Sequence, residues 1–313
     1  MLLQIHPIGY ISSMADSGAR GATIEDLAFI EDICRDIALK TRSSVLPYPA
    51  FALALGDSLI VHRATKDGRT IALATAIDRG RELDLFLIAV SFSQRRTGIA
   101  GELLDQLTAQ HLKVGKSRRI FANCWPGSGG GPGALLAAGF STAPGKVRWT
   151  RDAGPTSIPP AKVSLLQWND LKSISLDRRA RLLGAVGAAW PGDADPVPVL
   201  AALSSARDSQ ILIGLHNDEV KAVLAGVSVG DTFHILLGFE IETGHGEGID
   251  GGLAILLENA KTCGVKSLSV ETAVPTARTA PTLTRLGFRS VEAAAGFLAG
   301  TPGHAFEGNA FAL

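Results

Sequence analysis

The stretch Leu83–Leu104, LDLFLIAVSFSQRRTGIAGELL, decides the fold of this chain. Leu83–Val90 is an apolar run typical of a buried strand, and leucines recur at helical spacing after Gly98. The basic turn between them therefore opens a helix, whose first backbone amides and dipole favour an anion. Gly98 has no Cβ, so an anionic ligand can come close to the backbone. The stretch predicts a buried strand, a phosphate-binding turn and a helix.

The turn does not carry the motifs of two common phosphate loops. A single glycine cannot satisfy G-x-G-x-x-G, and no Gly-Lys-Ser/Thr follows to complete G-x-x-x-x-G-K-[ST]. The residues Arg95-Arg96-Thr97-Gly98-Ile99-Ala100 instead resemble the Arg/Gln-x-x-Gly-x-Gly/Ala motif of the GNAT superfamily of acyl-CoA N-acyltransferases. Val90 stands where that family usually has a valine, whereas Phe92 replaces a frequent proline. The resemblance implies an α/β fold with a mixed, mostly antiparallel central sheet flanked by helices.

Length and composition restrict the class of protein. The 313 residues suffice for two ordinary domains, and 46% hydrophobic with 19% charged residues is typical of a well-cored globular protein. Thirty basic and thirty acidic residues balance, so no net field attracts nucleic acid or an anionic membrane. No apolar run approaches the roughly twenty residues of a membrane span, and we see no signal peptide. Cys34, Cys124 and Cys263 lack metal-ligand spacing, which predicts a reducing cytoplasm and no metal site.

The order of predicted elements occurs twice along the chain. A strand in residues 2–10, a helix over Ala22–Lys40 and three strands precede the turn at Gly98; a strand, a short helix and a last strand over Lys146–Arg151 follow it. Residues 153–160, AGPTSIPP, have the composition of a linker. A similar order then restarts and ends in the apolar residues 304–313, which can add a final strand.

Glycine landmarks support an internal repeat. Three pairs recur at offsets of 148 to 150 residues. The pairs are Gly98 with Gly248, Gly115 with Gly264, and Gly139 with Gly287. The sequence therefore predicts two GNAT-like domains, 1–152 and 161–313, joined by the linker 153–160.

The two halves differ at the cofactor turn. In the second half this turn reads His245-Gly246-Glu247-Gly248-Ile249-Asp250, so a histidine replaces Arg95 and two carboxylates are added. Negative charge repels a pyrophosphate at short range. Either this half binds CoA in an altered manner, or it has lost CoA and serves as a structural or substrate-shaping partner. The first half is predicted to hold the cofactor.

The resemblance assigns cofactor-binding roles in the first half. Backbone groups of Ile88, Ala89 and Val90 would meet the pantetheine and the thioester of acetyl-CoA. The turn Arg95, Arg96, Thr97, Gly98, Ile99 and Ala100 would hold the pyrophosphate. Ser128 occupies the place of an asparagine that relatives often carry near the pantetheine, within an unusual GSGGGPG stretch.

Two carboxylates are candidates for the catalytic base. The resemblance implies direct attack of a primary amine on the thioester, which needs a carboxylate or histidine near the strand. Glu82 and Asp84 are two residues apart and share one face of the strand. Asp84 stands where many relatives have a glutamate base and is our first candidate; Glu82 is the second.

The expected proton donor is missing from its usual position. Relatives often place a tyrosine where this chain has Leu135. Tyr48, one of two tyrosines, either reaches an acceptor cleft or packs in the core. Without a tyrosine, the thiolate would take its proton from water or from the substrate ammonium.

These patterns predict a cytoplasmic, tandem N-acetyltransferase that uses acetyl-CoA as co-substrate. The acceptor would be a small-molecule or peptide amine, and the protein a monomer or homodimer with no nucleic-acid or membrane partner. Two alternatives remain open: a CoA-binding or structural protein without transfer activity, and an acyltransferase with a longer acyl-CoA.

Overall fold

A computed structural model describes residues 17–41, 48–79, 82–114, 119–126, 131–153, 166–190, 195–240, 247–273, 279–300 and 311–312. Its strands are β1 Ser17–Arg20, β2 Leu59–Lys66, β3 Arg69–Asp78, β4 Glu82–Val90, β5 Arg119–Cys124, β6 Ser141–Ala143, β7 Lys146–Asp152, β8 Gln167–Asp170, β9 Ser209–His216, β10 Glu219–Val229, β11 Thr232–Glu240, β12 Ser267–Ala273, β13 Arg289–Ala293, β14 Ala295–Gly300 and β15 Phe311–Ala312. Its α-helices are α1 Ile24–Thr41, α2 Tyr48–Leu55, α3 Ile99–Thr108, α4 Gly131–Ala137, α5 Leu176–Ala189, α6 Val197–Ser205, α7 Glu247–Thr262 and α8 Thr279–Arg285.

The strands form two sheets. The first has seven strands in the order β1-β2-β3-β4-β5-β14-β6, and the second has eight in the order β13-β7-β12-β15-β11-β10-β9-β8. Most neighbours are antiparallel, whereas β4–β5 and β11–β12 are parallel. The predicted fold class, two mixed and mostly antiparallel sheets flanked by helices, is confirmed. No helix in the described part of the chain combines the length and hydropathy of a membrane span.

Two elements expected at the ends of the chain are present. The helix expected over Ala22–Lys40 is α1, and Thr23 caps it: the Asp26 amide donates to Thr23 Oγ1 at 3.2 Å. The apolar tail expected to end in a strand does so at β15. The strand expected in residues 2–10 lies outside the described residues.

Three hydrophobic clusters hold the sheets and helices together. One cluster lies under α3, where Leu103, Leu104 and Leu107 are completely buried, and another lies under α7. The third joins the two halves: Phe51 of α2 packs in it with residues of α6 and of β11 such as Phe239. Burying a side chain of this size contributes roughly 1.5–3 kcal/mol. The two halves therefore share one core.

Each sheet contains one strand from the other half of the sequence. The strand predicted to end the first domain, Lys146–Arg151, forms as β7 but pairs with β12 and β13 of the second sheet. In return β14 lies between β5 and β6 of the first sheet. This differs from the expected arrangement because an alternating strand can pair with any open edge that its connection reaches. Each sheet therefore combines strands from both sides of the predicted linker 153–160.

The exchanged strands pass each other at two glycines. A Cβ on Gly145 would overlap the carbonyl oxygen of Ala294, and a Cβ on Gly296 would overlap that of Pro144. Glycine therefore allows the two backbones to cross at this distance.

Candidate active site

An opening lies between β4 and β5 in the first sheet. The two strands pair in parallel only from Glu82 to Leu85 on β4. A bulge at Phe86 then shifts the register between β3 and β4, since Leu85 and Leu87 pair with successive residues of β3. Beyond it, Ile88–Val90 pair with β3 and, among the described residues, do not pair with β5. The predicted thioester-binding segment thus presents one free backbone edge.

The predicted phosphate turn follows at the end of β4. Gly98 has φ +93° and immediately precedes α3, and Arg96 has φ +66°. Both values lie in the left-handed region, which turns successive amides toward one side. A Cβ added to Gly98 would meet nothing within 4 Å. The first amides of a helix have no acceptor within the helix, so those following Gly98 are suited to an anion.

The two arginines of the turn have different surroundings. Arg95 Nε donates to Val90 O at 3.3 Å, and its guanidinium lies 3.5 Å from Asp36 of α1. Arg95 therefore also ties the end of β4 to the first helix. Arg96 is exposed beside Gly98.

The other predicted cofactor residues are placed as follows. Thr97 Oγ1 donates to Gln94 O at 2.7 Å and so stabilises the turn. Ile99 is buried in the core under α3, and Ala100 is half-buried in the first turn of that helix. Only their backbone is therefore suited to a phosphate. Ser128 lies outside the described residues.

Glu82, the second candidate base, is held by Arg119 of β5. Arg119 Nε and Nη2 both lie 2.5 Å from Glu82 Oε2. Burial raises the pKa of Glu82, and the Asp84 carboxylate raises it further, against the opposing effect of Arg119. The electrostatic effect of Asp84 fits the prediction that the two carboxylates share a face.

Asp84, the first candidate base, is buried between two cations. Its Oδ2 lies 2.9 Å from Arg79 Nε and 3.5 Å from Lys146 Nζ. Arg79 is 2% exposed, so Asp84 supplies a charge that this guanidinium needs. Asp84 therefore has a structural role whatever its part in catalysis.

A cavity of about 30 Å³ lies next to the bulge. Residues from both sheets and from α2 line it: Tyr48, Asp84, Phe86, Trp125, Lys146 and Glu271. Asp84 thus lies at a cavity wall, where a base would be within reach of a substrate proton. Glu82 is not among the residues that line it in the described part of the chain.

Tyr48 packs against the bulge. Its ring meets Phe86 edge to face, with 5.1 Å between the ring centres. Burial raises the pKa of Tyr48, and the nearby Glu271 raises it further, so the phenol keeps its proton at neutral pH. Leu135, at the position of the family tyrosine, is instead buried under α3.

The sequence reasoning missed two residues of this cavity, Lys146 and Glu271. Lys146 begins β7, and Glu271 lies on β12 of the second half. Arg148 binds Glu271 and Glu292 and lies 4.2 Å above the ring of Trp125. The available signal in the sequence was a glutamate between Val270 and Thr272 in a predicted strand; once buried, such a residue needs a specific partner.

The corresponding opening in the second half is filled. There β11 and β12 pair in parallel from Thr232 to Ile235, and β15 then lies between them. Phe311 pairs with both Gly238 and Thr272. Of the altered cofactor turn, residues 241–246 lie outside the described residues, and α7 begins at Glu247.

Solved structures of the same architecture are GNAT acetyltransferases. A tandem GNAT protein from the clavulanic acid biosynthesis pathway matches 92% of this chain and 98% of its own, with a TM-score of 0.60 and 14% identity. A GCN5-related N-acetyltransferase from Sphaerobacter thermophilus matches 95% of this chain and all of its own, with a TM-score of 0.59 and 15% identity. A proposed acetyltransferase from Pyrococcus horikoshii matches 95% and 94%, with a TM-score of 0.60 and 14% identity.

The chain therefore has the tandem GNAT fold, as the motif predicted. The sequence matches no family model and no curated protein at a significant level.

Proposed function

We propose that this protein transfers the acetyl group of acetyl-CoA to a primary amine of a small molecule or peptide, with the cofactor bound in the first half. One observation carries the proposal: the free edge of Ile88–Val90 leads directly into the left-handed turn at Gly98. In acetyl-CoA the thioester and the pyrophosphate lie at opposite ends of the pantetheine arm, and the two groups match these two features.

The residues present fit acetyl-CoA. The turn at Gly98 offers helix amides without a Cβ in the way, and the β4 edge offers backbone groups beyond Phe86. In the second half β15 pairs along the corresponding edge. This contrast supports a single cofactor site in the first half.

Acetyl-CoA would supply a thioester carbonyl that a neutral amine can attack. Asp84 would take the proton that the amine nitrogen loses as its bond to carbon forms, and Glu82 is the second candidate for this role. Tyr48 would give a proton to the leaving sulfur as the C–S bond breaks, since its phenol lies beside Phe86 at the bulge.

Release of free thiol from acetyl-CoA in the presence of primary amines tests the proposal. Turnover with at least one amine is expected. CoA binding without turnover would support a binding or structural protein instead. Faster turnover with a longer acyl-CoA would support the other alternative.

The Asp84→Asn variant tests the base. We expect kcat to fall about 100-fold or more if Asp84 accepts the proton. The substitution also leaves Arg79 with less charge compensation, so thermal unfolding must accompany the assay. Glu82→Gln is the matched comparison. A larger fall of kcat in Glu82→Gln than in Asp84→Asn would make Glu82 the base instead of Asp84.

The remaining assignments are proposals as well. We infer two domains at 1–152 and 161–313 with the linker 153–160, in a cytoplasmic protein that is a monomer or homodimer. The described cysteines, Cys34, Cys124 and Cys263, are free thiols, which suits a reducing compartment.

A further inference from the structure

The cavity beside the bulge has walls from both sheets. Asp84 lies on β4 of the first sheet, whereas Lys146 and Glu271 lie on β7 and β12 of the second. Lys146 Nζ is 3.5 Å from Asp84 Oδ2, so the two walls meet at this point. The strand exchange is what brings Glu271 to the first half.

Glu271 is buried, and its ion-pair partner Arg148 contacts only one of the two carboxylate oxygens. Arg148 Nε and Nη2 donate to the same oxygen, Glu271 Oε1, at 3.1 and 2.9 Å. Arg148 is shared with Glu292, whose Oε2 lies 2.8 Å from Arg148 Nη1. Two carboxylates thus share one guanidinium, and among the described residues no hydrogen bond reaches the second oxygen of Glu271, Oε2.

The size of the cavity limits what can approach Glu271. A volume of about 30 Å³ holds one or two water-sized groups. The end of an alkylammonium has this size, whereas an aromatic ring does not. Only the terminal ammonium of an acceptor would enter, with the rest of the molecule outside.

The side chain of Lys146 already places one ammonium group at the wall of this cavity. Its Nζ lines the cavity beside Asp84, and its positive charge opposes the rise in the pKa of Glu271. The carboxylates Asp84, Glu271 and Glu292 balance the cations Arg79, Arg148 and Lys146, so an entering ammonium would be held by contact with Glu271 Oε2 and not by a net negative charge.

We infer that Glu271 of the second half is an acceptor-binding residue of the first half: its carboxylate holds the ammonium of a primary alkylamine at the cavity beside Phe86. The bound ammonium gives one proton to water before the neutral amine attacks, and Asp84 takes the second proton as the N–C bond forms. This inference rests on the proposed acetyl transfer and adds the class of acceptor. It also gives the second half, whose own opening is filled by β15, a part in the reaction.

The inference has a pH signature. Burial raises the pKa of Glu271 more than Arg148 and Lys146 lower it, and Glu292 raises it further. Tyr48 and Asp84 are the other titratable groups that line the cavity. Acceptor binding should therefore weaken as pH falls through the pKa of Glu271, because a protonated carboxyl no longer attracts an ammonium.

Glu271→Gln with Glu292→Gln as its control tests the inference. Both substitutions remove one carboxylate from Arg148, but only Glu271 lines the cavity. The assay measures thiol release from acetyl-CoA with propylamine, spermidine, an aminoglycoside and a short peptide. For the fastest acceptor, Glu271→Gln should raise KM about 10- to 100-fold, the value of a charged hydrogen bond, with CoA affinity unchanged. In Glu292→Gln, KM should change less than threefold.

The pH dependence separates binding from a structural effect. In the wild type, KM for the amine should rise at low pH, and in Glu271→Gln this rise should be absent. Equal KM values in both variants, or the same pH profile as the wild type, would overturn the inference while acetyl transfer stands. Absence of turnover with every amine in the wild type would overturn the proposed function and, with it, this inference.

Discussion

Lys146 Nζ lies 3.5 Å from Asp84 Oδ2, although the two residues belong to strands of different sheets. The contact exists because β7 leaves the first half and pairs with β12 and β13. Sheet integrity in each half therefore depends on a strand from the other half.

This dependence predicts a single unfolding transition. Neither sheet is complete without its exchanged strand, and the cluster around Phe51 and Phe239 spans both halves. Urea unfolding followed by far-UV circular dichroism and by tryptophan fluorescence should give coincident curves. Two separate transitions would contradict the prediction.

Glycine at the crossing of the exchanged strands should be essential. Gly296→Ala places a Cβ against the carbonyl of Pro144, a backbone group that cannot move without disturbing the pairing of β6 with β14. We expect destabilisation of about 1–3 kcal/mol, as for overpacking in a core. Gly133→Ala in α4 is the control, since its Cβ would meet nothing within 4 Å and alanine favours helices. Equal stability of the two variants in urea would show that the two backbones at the crossing can move apart at little cost in free energy.

The sequence predicted the positions of strands and helices better than it predicted which strands pair. Local patterns placed β4, the turn at Gly98 and α3 correctly, because periodicity and a glycine turn are properties of neighbouring residues. The pairing of Lys146–Asp152 with the second sheet is a choice between distant edges, and alternation along one strand cannot express it. The neighbourhood of Asp84 and Glu271, 187 positions apart in the numbering, could not be predicted for the same reason.

The turn at Gly98 should bind CoA more weakly when its glycine is replaced. Gly98→Glu adds a carboxylate beside the expected pyrophosphate and a side chain at φ +93°. We expect the Kd for CoA to rise at least about tenfold, from repulsion of roughly 1 kcal/mol or more together with steric exclusion. Isothermal titration calorimetry with CoA measures the change.

Gly68→Glu is the matched control for the turn variant. Gly68 also has a positive φ, +73°, and a Cβ added there would meet nothing within 4 Å, but it lies in the hairpin between β2 and β3. It therefore carries the same backbone strain and charge without the ligand. An equal loss of CoA affinity in both variants would place the cofactor elsewhere.

Buried histidines should make the protein acid-sensitive. Burial, together with the charges of the neighbouring His111 and Arg63, lowers the pKa of His62 to about 4. In the unfolded chain this histidine takes up a proton near its ordinary pKa of about 6.5. Between these two values the unfolded state binds more protons, so stability falls as pH falls from about 6.5 to 4. The full effect of one such group is roughly 3 kcal/mol.

His62→Leu isolates this contribution. His62 is fully buried, with its Nε2 3.4 Å from His111 Nε2, so an apolar side chain removes the titration and keeps the burial. Urea unfolding of the wild type and the variant at several pH values should show a flatter pH dependence for the variant. Parallel curves would mean that His62 does not titrate on unfolding in this range.

Each chain should bind one acetyl-CoA. In the first half, none of the described strands pairs with Ile88–Val90 on the side opposite β3, whereas in the second half Phe311 pairs with Gly238 and Thr272 in the corresponding place. Calorimetric titration should therefore give a stoichiometry of one, and Gly98→Glu should weaken binding at this single site at least about tenfold. Deletion of residues 311–313 removes β15 but leaves the altered turn of the second half, with its added Glu247 and Asp250. The truncated chain should still bind one molecule, because an open edge without an anion site lacks the charge complementarity for a pyrophosphate. A second molecule bound by the wild type would show that the second half keeps its cofactor site; a second molecule bound only after truncation would show that β15 alone closes it.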